Sequence, residues 1–308
     1  MTIQLKRIGI LLFILLAACS VSTEPAAVEE TAVPLRPIPT ATTPATETAV
    51  RPTPTDEPEP TAIPPTDTPT DTPEPTVEEV EAETEEVEKE TADATTQDVT
   101  IPGADGLEIQ GILWLPGDNE SIPGVILLHM LGSNRGSWQP SRLPDLLSEN
   151  GYAVLAIDMR GHGETGGSPD WTLVEEDLQL VHEYFAGLNE VDKGATAVVG
   201  ASIGGNMALI AGANLPAINA VVLLSPGLDY RGVTTEDHIE EYGSRPIFIA
   251  ASEEDSYAAD SSRTLQELAQ GKAELTLYNG AGHGTNMFSS QPELAEAILA
   301  WLNTHVQH

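Results

Sequence analysis

The sequence predicts a doubly wound α/β fold with a mostly parallel sheet over residues 99–308, and three observations carry that expectation. Short apolar runs there alternate with segments whose apolar residues recur at helical spacing. Several runs, such as "VILLH" and "AVVLL", are continuously apolar, which suits strands covered on both faces. A strand-like run, "ATAVV", passes through a glycine-flanked serine straight into a helix-like run, "IGGNMALIAGAN".

Taken in order, strands are expected at residues 107–115, 125–129, 153–158, 195–199, 220–224, 247–251 and 274–278. Helices are expected in "PDLLSENG", which closes at Gly151, in "TLVEEDLQLVHEYFAGL", and in the run after the serine. Two more follow in "SSRTLQELAQG", ending at Gly271, and "ELAEAILAWLNTHV". Strands alternating with helices give the fold class, and no internal repeat competes with it. The segment 225–246 is only about 20 residues long.

The residues before 99 have a different texture. Of the 24 prolines, 14 lie between residues 20 and 98, together with 20 acidic residues and only Arg36, Arg51 and Lys89 as bases. Such a stretch buries too little apolar surface to offset the entropy of ordering, so 20–98 is expected to be a disordered linker. Ahead of it, Lys6 and Arg7 precede 11 apolar residues, Ile8 to Ala18, which suit a signal-peptide core better than a membrane span. Cys19, the only cysteine, follows at once, and Leu16-Ala17-Ala18-Cys19 resembles the bacterial lipobox, whose cysteine carries lipid. Three parts are therefore expected: a lipoprotein signal over 1–19, a linker over 20–98 and a folded domain over 99–308. A proline-rich tether of that length reaches at most about 3.1 Å per residue from the membrane. Localisation is expected to be extracytoplasmic. A lone cysteine forms no intrachain disulfide.

The net charge of −35 includes −20 from residues 99–308. That balance excludes nucleic acid as a partner, since such binding needs Lys and Arg against phosphates. The histidines are scattered and none pairs with a second ligand at helical or hairpin spacing, so no metal and no cofactor are expected. A monomer is expected.

Gly200-Ala201-Ser202-Ile203-Gly204 matches the G-x-S-x-G nucleophile elbow, in which a sharp strand-to-helix turn presents the serine and leaves room only for small neighbours. A serine needs a base, and four histidines follow it: His238, His283, His305 and His308. His283 is preferred because "NGAGHG" follows a strand at the end where such sheets place functional residues. The acid comes from "SEED", where Asp255 is preferred and Glu254 is the runner-up. It would hold the imidazole in the tautomer that accepts the serine proton. For the oxyanion hole, the backbone N–H of Ile203 is expected to act with that of Leu131, Met130 being the alternative. His129 is read as a structural residue, and Trp138, Met207 and Met287 as packing rather than pocket wall.

Residues 99–308 resemble the α/β-hydrolases. "DGLEIQGILWLP" resembles their opening hairpin, "VILLHMLGSNR" the HGxG-type oxyanion loop and "AIDMRGHGETGGS" the D-x-R-G-x-G-x-S loop, with "GASIG", "ASEED" and "GAGHG" following in order. The resemblance is greatest to cap-less dienelactone-hydrolase-like and esterase-like members. Met130 stands where many relatives carry glycine, and Ser202 where dienelactone hydrolases proper carry cysteine. The resemblance implies a carboxylesterase-like serine hydrolase acting on a small ester. A peptidase, a thioesterase or a cofactor-free haloperoxidase-like activity fits the same elements, and so does a tethered binding module without turnover.

Overall fold

Residues 95–117 and 121–306 are described by the computed structural model. The expected signal, Cys19 and the linker up to residue 94 lie outside the described residues. The chain enters as a strand, β1 (Thr95–Pro102), whose first four residues fall inside the stretch read as linker. Its polar sequence hid it: Ile101 is its one fully buried side chain, as suits an edge strand. A tight turn with Asp105 and Gly106 at positive φ leads to β2 (Glu108–Leu115), paired antiparallel with β1.

From there strands and helices alternate. β3 (Ile122–Leu128), α1 (Leu143–Glu149), β4 (Ala153–Ile157), α2 (Trp171–Ala186), β5 (Val191–Ala201), α3 (Ile203–Asn214) and β6 (Ile218–Leu224) form the first part. The short hairpin β7 (Asp229–Tyr230) and β8 (Val233–Thr234) follows, then α4 (Glu236–Tyr242), β9 (Ile247–Ser252), α5 (Ser256–Leu268) and β10 (Ala273–Tyr278). One helical turn, α6 (Met287–Ser290), and α7 (Leu294–His305) complete the described elements. Thus the expected strands and helices are present, and the segment 225–246 folds as a hairpin and a helix.

Eight strands form one sheet in the order β1-β2-β4-β3-β5-β6-β9-β10, parallel from β4 onward. Alternation along the strands sorts side chains to two cores. In β3, Ile126 and Leu128 face α2 and α3, while Val125 and Leu127 face α1 and α7. The helices follow the same logic: Asp170 caps α2 by accepting the Thr172 and Leu173 N–H groups, and Val174, Leu178, Val181 and Phe185 then recur on its buried face. The chain leaves β3 for β4 on one side and returns to β5 on the other. The loops at the carboxyl ends of β3 and β5 therefore diverge, opening a crevice at the switch point.

Candidate active site

Ser202 stands alone between β5 and α3, with φ 56° and ψ −125°, a combination that side chains rarely adopt. The turn is held by the Ser202 N–H on the Leu224 carbonyl (2.7 Å) and by the Gly205 N–H on the Ser202 carbonyl (2.8 Å). The flanking glycines are required by space. A Cβ on Gly204 would lie 2.5 Å from the carbonyl oxygens of Leu128 and His129, and one on Gly200 would collide with the Gly204 carbonyl. α3 thus starts directly against the end of β3. As the first residue of α3, Ile203 has an N–H with no carbonyl of its own helix to reach.

His283 follows β10 in a loop where Gly280, Gly282 and Gly284 all take positive φ. Its Nδ1 lies 2.5 Å from Asp255 Oδ2. The competing carboxylates point elsewhere. Glu254 Oε2 accepts the Gly280 N–H (2.6 Å) and the Ser252 hydroxyl (2.8 Å), so these bonds, Gly280 first, hold its carboxyl below the ordinary glutamate range. Glu253 pairs with Arg263 at 2.6 Å. Glu254 therefore ties the acid loop to the histidine loop rather than meeting the imidazole.

The loop after β3 is fastened from β4. His129 donates from Nδ1 to the Met130 carbonyl (2.7 Å) and accepts the Met159 N–H at Nε2 (3.0 Å). Burial, above all, pushes its pKa down to about 4. Asp158 accepts the Arg135 N–H (2.6 Å) and the Glu164 N–H (2.7 Å) and pairs with the Arg135 guanidinium. Between these fastenings, Leu131 and Gly132 form the middle of a turn closed by the Ser133 N–H on the Met130 carbonyl (3.1 Å), with Gly132 at φ 69°. Leu131 is exposed, while Trp138, Met207 and Met287 are fully buried in the cores as read from the sequence.

These loops meet at the carboxyl ends of β3, β5, β6, β9 and β10. A Cβ on Gly284, beside His283, would lie 3.4 Å from the Ala201 Cβ, beside Ser202, and would collide with the Met130 sulfur. Among the described residues, Ser202 and His283 share no direct hydrogen bond; bonds of this kind often tighten only with substrate.

A family model described as alpha/beta hydrolase fold matches residues 123–239. Dienelactone hydrolase from Anabaena variabilis superposes with a TM-score of 0.58 at 18% identity, covering 70% of this chain and 99% of that one. The chain has the alpha/beta hydrolase fold. Est1E from Butyrivibrio proteoclasticus, solved with ferulic acid bound, gives a TM-score of 0.60 at 20% identity over 68% of this chain and 99% of that one. A hydrolase, ORFZ, of Pyricularia oryzae is 30% identical over 177 residues, 52% of this chain and 39% of that protein. The match thus spans well under half of that relative's length.

Two residues that this alpha/beta hydrolase fold brings to the site are absent from the sequence reading. Ser225, just after β6, is fully buried at φ 52°, and its hydroxyl accepts the Gly284 N–H at 2.9 Å. Tyr230, in the hairpin, donates to the Ser225 carbonyl (3.2 Å). Burial, first, and the Asp255 carboxylate raise the Tyr230 phenol pKa, while a hydrogen bond with Ser202 opposes them. Neither residue lies in a spacing motif. The one sequence signal for Ser225 is its place at the end of an apolar strand.

Proposed function

We propose that this protein is a serine hydrolase that cleaves carboxylic esters of modest size through an acyl-enzyme. The observation that carries the reading is the 2.5 Å contact of His283 Nδ1 with Asp255 Oδ2, in a loop packed against the strained Ser202 turn. Asp255 accepts a hydrogen bond from Nδ1–H, which keeps the proton on Nδ1 and so leaves Nε2 free to act as base. Ser202 Oγ attacks the ester carbonyl carbon as its proton passes to His283. The N–H groups of Ile203 and Leu131 stabilise the oxyanion, each such donor being worth about 3 kcal/mol in the transition state. Collapse of the intermediate expels the alkoxide, which takes the proton from His283, and leaves the acyl group on Ser202. Water, deprotonated by His283, repeats the sequence and frees the acid. The names of the similar proteins, a dienelactone hydrolase and a protein with bound ferulic acid, support an ester as substrate.

The reading includes an anchor: lipid on Cys19 and the Pro/Thr/Glu-rich stretch as tether, with the hydrolase outside the cytoplasm. Hydrolysis of p-nitrophenyl esters of increasing chain length by the full chain, beside Ser202→Ala, tests the enzyme. Turnover that falls to background in the variant is the expected result. Equal turnover by both proteins removes Ser202 from the reaction.

A further inference from the structure

Two aromatic side chains, Tyr230 against His283 and Tyr257 against Tyr230, carry no proton or bond in the steps above. The Tyr230 ring meets the His283 ring edge to face, with centroids 6.2 Å apart and planes at 85°. Tyr257 meets Tyr230 similarly, at 5.6 Å and 66°. The three rings form a stepped wall leading away from the imidazole. Both tyrosines are fixed by their hydroxyls: Tyr230 donates to the Ser225 carbonyl, and Tyr257 donates to the Asp229 carbonyl (2.9 Å) while accepting the Asp229 N–H (2.9 Å). Gly227 leaves the space in which they meet, since a Cβ there would lie 2.7 Å from Tyr230 and 2.8 Å from Tyr257.

This rigid wall is uncovered. Tyr257 is 47% exposed, and Leu131, on the loop after β3, is 40% exposed; with Leu268 they are the exposed large hydrophobic residues among the described ones. Two of the three therefore stand at the candidate site: Leu131 on the loop after β3, and Tyr257 in the first turn of α5, two residues after Asp255. An exposed ring held by two hydrogen bonds loses little entropy when a ligand settles on it, which favours binding there.

We propose that Tyr257, backed by Tyr230, determines specificity by receiving a flat aromatic ring in the alcohol part of the ester. The inference rests on the hydrolase reading. It is assigned to the alcohol part because His283, where the wall begins, hands its proton to the departing alkoxide, whereas the acyl part stays on Ser202.

The test compares benzyl acetate with cyclohexylmethyl acetate on the full chain. The two alcohols are similar in size and leaving ability, but the cyclohexyl ester is the more hydrophobic, so apolar burial alone favours it. A ring-on-ring contact instead favours the benzyl ester, by about two- to tenfold in kcat/KM and chiefly through KM. Tyr257→Phe is expected to keep part of that preference, because the ring remains while the two hydrogen bonds that hold it are lost. Tyr257→Leu is expected to lose it. The inference is overturned if the wild type shows no benzyl preference although a separate sample of the same preparation is labelled at Ser202 by a fluorophosphonate. It is equally overturned if Tyr257→Phe loses the preference as Leu does, because the hydroxyl anchor rather than the ring is then responsible. A wild type that neither labels nor turns over removes the hydrolase reading and this inference with it.

Discussion

The backbone N–H of Gly284 donates to the buried hydroxyl of Ser225 at 2.9 Å, fastening the loop of His283 to the end of β6. The same serine takes the Tyr230 hydroxyl on its carbonyl and sends its N–H to Ala250 on β9 (2.7 Å). One residue thus links three of the segments around the candidate site. Ser225→Ala leaves the Gly284 N–H without its acceptor, at a cost of about 1–3 kcal/mol in stability. The predicted kinetic result is a fall in kcat of about ten- to a hundredfold from a displaced imidazole, with KM little changed. Urea unfolding and steady-state kinetics on the same preparation measure both.

The acid assignment separates two neighbours. Asp255→Asn is predicted to lower kcat by about 10⁴, because an amide no longer selects the tautomer that accepts the serine proton. Glu254→Gln is predicted to lose less than about tenfold, since its amide oxygen still accepts the Gly280 N–H, although more weakly. Reversed magnitudes would make Glu254 the acid.

Gly204→Ala tests the packing of the elbow. The added methyl meets two backbone carbonyls that end β3, and neither can yield without moving the strand. A destabilisation of about 3 kcal/mol is expected, with loss of turnover even in the folded fraction. Thermal unfolding followed by circular dichroism reads the first part, and an activity assay well below the transition reads the second.

Acid stability follows from His129. Its folded pKa of about 4 lies below the 6.5 of an ordinary histidine, so the unfolded chain binds more protons between these values and stability falls as pH drops through that window. Between pH 7 and pH 5 this group alone removes about 2 kcal/mol. Denaturant unfolding at both pH values, in wild type and His129→Gln, isolates the contribution as a shallower pH slope in the variant.

Much of the site was legible because it rests on short-range constraints. Gly200, Ser202 and Gly204 are dictated by one turn, and the strand-then-loop placement of Asp255 and His283 follows from the alternation of elements. The elements absent from the reading lack an apolar signature. β1 is mostly polar and exposed, stabilised by pairing with β2, and α4 buries only Ile239 and Tyr242. α5 starts at Ser256, ahead of the expected "SSRTLQELAQG", because Ala258 and Ala259 supply its buried face there without large residues. Ser225 and Tyr230 act across the fold, through partners far away in sequence such as Gly284 and His283. No local pattern encodes such contacts.

The measurement that bears most directly on the central claim is labelling of the full chain with a fluorophosphonate, with the adduct located by peptide mass spectrometry. The account predicts a single adduct on Ser202, absent in Ser202→Ala and formed far more slowly in His283→Ala. A wild type that stays unlabelled, or an adduct on another residue, contradicts it.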